Sequence, residues 1–419
     1  MELSFRIDQR SEKIEIDDAQ VISVLRPASL PHPSDQKQIV HQALQHPIQS
    51  ACLADIIDPT DTVAIVTSDI TRPMPSYTVL PILLDELLHI GVRKENITII
   101  IALGSHRPQT SAEMEHLVSK EVYTQYKVIN SGQNGFLSVG KTKRGTPVSI
   151  DRTVVEADKR ICLGNVEYHY FAGYSGGAKA IMPGCSEPSA IQMNHRFMVK
   201  EEAHAGAIKG NPVREDLEEA AAMVGVDFII NVVLNPEKEI IYAAAGDMTA
   251  AHRAACAELS HCYLSPIDEK ADVVIVSQAG APKDLNLYQT QKALDNAKHA
   301  VKDGGIVILI GSCKEGFGNS VFEEWMCRYQ DPQEMINALY DHFVLGGHKA
   351  AAIAMVQKKA KIFLVSDLPS GTVEKTFLKP FAHLSDAYKE AVKELGCLPK
   401  VIAMPYGGST LPALKENAD

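Results

Sequence analysis

The strongest constraint in this 419-residue chain is one kind of segment that keeps returning. VAIVTSD (Val63 to Asp69), NITIIIALGSH (Asn96 to His106), ADVVIVSQAG (Ala271 to Gly280) and GGIVILIGSC (Gly304 to Cys313) are near-continuous apolar runs that end in polar or glycine residues. A strand covered on both faces reads this way, because neither face meets water. AKIFLVSDL and PKVIAMP repeat the pattern later in the chain. Longer amphipathic stretches lie between the runs. PSYTVLPILLDELLHIG is a helix stopped by Gly91, and RPQTSAEMEHLV has Thr110 or Ser111 as a cap with Glu113 in its first turn. DLEEAAAMVG, MTAAHRAACAELSHCYL and TQKALDNAKHAV are further helices, VDFIINVVLNP and EIIYAAAGD further strands.

Strands alternating with helices predict an α/β fold: two α/β domains with mainly parallel sheets and an active-site cleft between them. The polar stretch CYLSPIDEK places the boundary so that residues 1–265 form the first domain and 266–419 the second. The last residues, from Met404 on, are candidates to pack back onto the first domain. DRTVVEADKRICLGNV reads as short strand and turn pieces.

Composition removes several classes of function. The net charge of -11 gives no bulk attraction for nucleic acid or anionic lipid. The eight cysteines include no CxxC pair, which argues against a zinc knuckle or a disulfide framework. No window reaches 18 apolar residues without charges, and the opening MELSFRIDQRSEKIEID has no apolar signal core. The expectation is a cytoplasmic protein with neither a nucleic-acid nor a membrane partner. GxGxxG is missing after the first strand, so the usual dinucleotide fingerprint is not there.

Polar clusters follow the apolar runs, where α/β proteins place their sites. SDITRP carries Asp69 and Arg72, whose guanidinium fork suits a carboxylate or phosphate. GSH carries His106. EYHYFAGYSGGAKAIMPG carries His169, the turn Tyr174-Ser175-Gly176-Gly177, and Lys179. Glycines there would let backbone amides approach an anion, and the lysine could be used covalently. His195 follows in NHR, and His169, His195 and His204 together are a candidate metal set, although none has HExxH spacing. In the second domain, KDLNLYQTQKA brings Tyr288, Gln289 and Lys292 to a strand–helix junction. Tyr288 and Lys292 are i,i+4 and share a face if the helix has begun. Each cluster also has a bland explanation, as a loop-holding ion pair, a structural histidine or an ordinary turn.

Taken in order, SDITRP, GSHRP, the AGYSGGAKAIMPG segment after His169, NHR and KDLNLYQTQKA resemble the nickel-pincer lactate racemase family of 2-hydroxyacid racemases and epimerases. The resemblance covers most of the chain. It implies a nickel-pincer nucleotide, pyridinium-3-thioamide-5-thiocarboxylic acid mononucleotide with nickel, joined covalently to Lys179, with His195 as the protein ligand to the metal. His106 and His169 match the paired acid/base residues. Arg72 and Lys292 match catalytic residues that orient the substrate. Tyr288 and Gln289 match other substrate-pocket positions, and Asp69, Tyr174, Ser175, Gly176 and Gly177 match the surroundings of the cofactor. The first domain would then be the cofactor-binding and catalytic unit, and the second would close over the substrate.

The implied reaction removes hydride from C2 of a small anionic 2-hydroxy acid, passes through a 2-oxo acid, and returns hydride to the opposite face, with the two histidines as acid and base. Cofactor-synthesis proteins would be needed for loading, and a homo-oligomer is compatible with the sequence. The alternatives are a non-racemising homologue that binds a nucleotide or hydroxy acid, and an NAD-dependent dehydrogenase. One departure stands out. The family's lactate-specific pattern has a tryptophan in the second-domain pocket wall, near the position of FVLGGHKAAA here. The only tryptophan of this chain is Trp325, earlier in the sequence, and His348 and Lys349 occupy that stretch. The expectation is a substrate other than lactate.

Overall fold

The computed structural model describes residues 1–415 and divides into two compact units. One runs continuously from Ser29 to Cys262. The other joins Met1–Ala28 to the chain from Tyr263 onward. Both are α/β, as the alternating runs require.

The continuous unit is built on a six-stranded sheet. In chain order its strands are Val63–Ser68, Ile97–Ala102, Lys127–Asn130, Lys159–Asn165, Phe228–Leu234 and Ile240–Gly246. Numbered in that sequence, they lie in the order 3-2-1-4-5-6 across the sheet. All neighbours are parallel except the last pair, which is antiparallel. Ile65, Ile99, Ile161 and Ile230 are fully buried and join Leu80, Leu83 and Leu87 of the helix Ser76–Ile90 in one core. That helix ends at Gly91 in the left-handed region, and Ser111–Val118 starts from a complete Thr110/Glu113 capping box.

DRTVVEADKRICLGNV contains more than short pieces: Lys159–Asn165 is a central strand, sandwiched between Val63–Ser68 and Phe228–Leu234. Its opening residues are charged because Arg160 donates to the carbonyls of Val154, Val155 and Ala157 at the sheet's entrance.

The second unit carries another six-stranded sheet, parallel throughout. Ala271–Ser277 lies between Val301–Ile310 and Val401–Met404. Lys361–Val365 and Lys379–Phe381 extend one side, and Val21–Val24 forms the other edge. Residues 1–28, assigned on the sequence to the first domain, therefore belong here. Their hairpin Glu2–Ile7/Arg10–Glu15 turns Leu3, Phe5, Ile7 and Ile14 into the same core as Ile275, Ile308 and Phe363. The change of unit at Cys262/Tyr263 falls beside the expected boundary. The closing strand Leu411–Leu414 pairs with Leu264–Ile267 of this unit instead of returning to the first domain. Residues 416–419 lie outside the described residues. No helix among the described residues is long and apolar enough to cross a membrane.

Candidate active site

In an open parallel sheet, a crevice forms where neighbouring strands send their connections to opposite faces. In the continuous unit that point lies between Val63–Ser68 and Lys159–Asn165. An open cleft of about 800 Å³, counting the solvent at its mouth, lies at the carboxyl ends of these strands. It is lined by Asp69, Arg72, His106, Asn165, His169, Ser175, Gly176, Lys179 and His195, among others. Eight of the residues selected on sequence thus meet in one place, contributed by four separate stretches of chain.

Asp69 and His106 follow adjacent strands and form a pair, with Asp69 Oδ2 2.6 Å from His106 Nδ1. Thr71 donates to Asp69 Oδ1 through its hydroxyl, at 2.7 Å, and through its amide, at 3.2 Å. Burial alone would raise the Asp69 pKa, but the hydrogen bonds from His106 and Thr71 outweigh it and hold the carboxyl below its ordinary value. In a neutral ring, a carboxylate in this position fixes the proton on Nδ1 and leaves the lone pair on Nε2.

His169 sits on a two-residue ladder, Tyr168–His169 against Gly173–Tyr174. Gly173 is required there. Its φ is +75°, and a Cβ would collide with the carbonyl oxygen of Ala207. Arg214, fully buried in the helix Pro212–Val224, braces the hairpin by donating to the carbonyls of Ala172 and Tyr174. Burial, together with the nearby Lys179 and Arg72, pushes the His169 pKa well below its ordinary value. That shift favours the neutral ring.

Lys179 lies in a short 3-10 turn, Gly177–Ala180. Burial first, then Arg72 and Arg214, depress its pKa well below that of a free lysine, which favours the neutral, nucleophilic amine. His195 closes the helix Pro188–His195, with its Nδ1 3.1 Å from Asn194 Oδ1. The amide oxygen can only accept, so the proton is on Nδ1 and the lone pair on Nε2, the arrangement of an oriented metal ligand.

Gly177 and Tyr174 do not line the cleft. The Gly177 amide donates to Asn231 Oδ1, and a Cβ there would press on the His252 ring. The Tyr174 hydroxyl meets Ser260. Both support the turn from behind. His204 is also away from the cleft, and no group of three or more His, Cys, Asp or Glu side chains suited to a metal assembles among the described residues. The three-histidine metal set is therefore not formed.

The sequence reading missed Asn165, whose buried Nδ2 has no partner, and the supports Arg214 and His252. His252 donates from Nε2 to the Ser175 carbonyl at 2.9 Å. Asn165 had a signal: it closes a buried strand, and Asp69 and His106 follow two others within four residues. Arg214 and His252 sit in amphipathic helices with nothing to mark them.

In the other unit, Tyr288, Gln289 and Lys292 lie on the helix Leu287–Ala297, capped by Asn286, so Tyr288 and Lys292 do share a face. Lys349 is 7% exposed in the first turn of the helix Gly347–Gln357. Its Nζ donates to the Tyr288 carbonyl at 2.7 Å and lies 4.1 Å from the centre of that ring. Burial and the neighbouring Lys292 lower its pKa to about 7. Trp325, distant in sequence, packs its ring on Gly347.

The comparisons with known proteins match this layout. Residues 7–206 fit the family model for the lactate racemase N-terminal domain, and residues 267–411 that for the C-terminal domain. The lactate racemase of Thermoanaerobacterium thermosaccharolyticum is 33% identical over 389 residues, 90% of each chain. That of Lactiplantibacillus plantarum is 28% identical over 412 residues, 96% of this chain and 97% of its own. The structure of the T. thermosaccharolyticum lactate racemase apoprotein superimposes with a TM-score of 0.87 at 30% identity, covering 99% of this chain and 100% of that one. Both domain models match in order, and the relatives align over nearly the whole length: the chain belongs to the lactate racemase family of enzymes.

Proposed function

We propose that the protein is a cytoplasmic racemase or epimerase of a small 2-hydroxy acid that uses a nickel-pincer nucleotide held in the cleft of the continuous unit. The observation that carries this reading is the convergence of Lys179, His195, His106, His169 and Arg72 on one cleft at the sheet's switch point.

The residues present fit such a group. Lys179 offers an amine for covalent attachment, and its surroundings favour the neutral form. His195 offers an Nε2 lone pair whose direction Asn194 fixes. The orphaned Asn165 Nδ2 is a buried donor in want of an acceptor. When bound, the group supplies reversible hydride acceptance at C2, which no side chain of this chain offers.

The protein's part is grip and proton handling. The Arg72 guanidinium presents a fork to the substrate carboxylate and holds C2 in place. His106, with Asp69 behind it, accepts the hydroxyl proton at Nε2, and the carboxylate stabilises the imidazolium that results. His169 serves the same oxygen, as the second member of the acid/base pair. The family resemblance gives Tyr288, Gln289 and Lys292, on the helix Leu287–Ala297, a part in substrate binding.

The test is production of the protein together with cofactor-synthesis proteins, intact-mass measurement, and incubation with single enantiomers of lactate, malate, phenyllactate and sugar acids. A Lys179 adduct, one nickel, and appearance of the inverted configuration are expected. Adduct-bearing protein that inverts none of them overturns the reading. A substrate other than lactate is expected to turn over fastest, and lactate as clearly the best substrate overturns that part of the reading.

A further inference from the structure

His106 and His169 are alike as residues, yet the hydrogen bonds behind them differ in kind. Behind His106 stands an acceptor, the Asp69 carboxylate, so Nδ1 carries the proton. Behind His169 stands a donor. The backbone N–H of Ala172 points at His169 Nδ1 at 3.2 Å. A backbone N–H can only donate, and Ala172 is buried, so this amide needs an acceptor.

The direction of that amide is locked from further back. Asn211 caps the helix Pro212–Val224, its Oδ1 accepting from the amides of Val213 and Arg214. The oxygen being committed, Nδ2 must face the other way, where it donates to the carbonyl of Phe171 at 2.9 Å. That carbonyl belongs to the same peptide group as the Ala172 N–H. The next carbonyl, of Ala172, is held by Arg214 Nε at 3.0 Å. The peptide cannot turn over without breaking buried bonds, and the lone pair of His169 must be on Nδ1. A neutral ring then carries its proton on Nε2, at the edge opposite the turn.

We infer that the two cleft histidines rest in opposite tautomers, so that His106 presents a lone pair to the substrate oxygen and His169 presents an N–H. This deepens the proposed function and rests on that reading for its chemistry. A hydroxyl group is at once donor and acceptor, and the pair matches it: the hydroxyl gives its proton towards His106 and accepts from His169. His106 is ready to accept a proton as it stands. His169 can accept one at Nε2 only after its own proton has left and the Ala172 bond has been given up. The two enantiomers therefore do not meet equivalent groups. For enantiomers, whose equilibrium constant is one, this difference appears in kcat and KM separately while their ratio stays equal.

The experiment is ¹⁵N NMR of the full-length protein labelled at histidine ring nitrogens, with His106→Gln and His169→Gln used to assign signals. The expected result is a pyrrole-type Nδ1 and pyridine-type Nε2 for His106, and the reverse for His169. The same tautomer in both rings overturns the inference, whatever the activity of the protein. In the cofactor-loaded enzyme, binding of oxamate, an unreactive oxo-acid analogue, gives a second readout. Loss of one neutral hydrogen bond is about fivefold in affinity. His169→Ala is expected to bind about fivefold more weakly than the unsubstituted enzyme, and His169→Gln, whose amide can still donate, to recover most of that loss. Equal weakness of the two variants overturns the donor role. Failure of the protein to invert any hydroxy acid would count against the proposed function and would leave the NMR result to stand by itself.

Discussion

Asp69 Oδ2 lies 2.6 Å from His106 Nδ1, and the two side chains differ sharply in setting: the carboxylate is 2% exposed, the imidazole 38%. A buried charge thus faces a ring that opens to the cleft. Asp69→Asn preserves the shape and removes the charge that stabilises the imidazolium. The expected outcome is a fall in kcat of about 10²–10⁴-fold with cofactor loading retained, read from steady-state kinetics beside intact mass.

Lys179→Ala removes the amine, and Lys179→Arg replaces it with a guanidinium that stays charged and does not attack. Both variants are expected to lack the mass adduct when produced with cofactor-synthesis proteins. An adduct of unchanged mass on either one would move the attachment point elsewhere.

Gly173→Ala forces a Cβ onto the Ala207 carbonyl at a φ of +75°. Gly210, with φ of +78° and nothing within 4 Å of where a methyl group would stand, isolates the backbone strain alone. Gly210→Ala is expected to destabilise by about 1 kcal/mol, and Gly173→Ala by about 3 kcal/mol, because the clash adds to the strain. Urea denaturation midpoints check both.

Lys349 gives a pH dependence whose sign can be worked out. Its folded pKa, about 7, lies below that of an unfolded lysine. Between those values the unfolded chain binds the proton that the folded chain has released, so stability rises with pH. Lys349→Met abolishes this contribution. The stability of the unsubstituted protein relative to the variant is expected to increase by on the order of 2 kcal/mol between about pH 7 and pH 9. A difference that stays flat over that range would contradict it.

The parts of the fold that could be read in advance share one property. Val63–Ser68, Ile97–Ala102 and Ala271–Ser277 are covered on both faces, and their sequences say so without help from distant residues. Asp69 and His106 were legible because they stand directly after such runs. Lys159–Asn165 escaped because its first two residues are charged, Arg160 being held by carbonyls at the sheet's entrance and Lys159 facing Asp227, which shortens the apolar run. Val21–Val24 escaped because an edge strand of intermediate burial has no marked pattern. Arg214 lies in a run, PVREDLEEAAAMV, that reads as an ordinary amphipathic helix with a solvated charged face. Its partners are carbonyls 42 and 40 residues away, and that pairing exists only once the helix and the hairpin have met. Asn211 caps the helix Pro212–Val224, which begins four residues before the DLEEAAAMVG run, and nothing in the sequence marks its second task of orienting the peptide behind His169.

The interrupted composition of the second unit has a consequence for biosynthesis. The continuous unit is complete in sequence once Cys262 has been made. Val21–Val24, by contrast, pairs with Val401–Met404 and with no other strand of its sheet. That edge strand is made long before synthesis reaches Val401–Met404 and its neighbour exists. The continuous unit is therefore expected to assemble first during translation and the interrupted unit last, with the hairpin Glu2–Ile7/Arg10–Glu15 carrying unburied apolar side chains in the interval. A chaperone or a nascent-chain contact that shields residues 1–28 would act on this protein's yield while touching none of the residues that line its cleft.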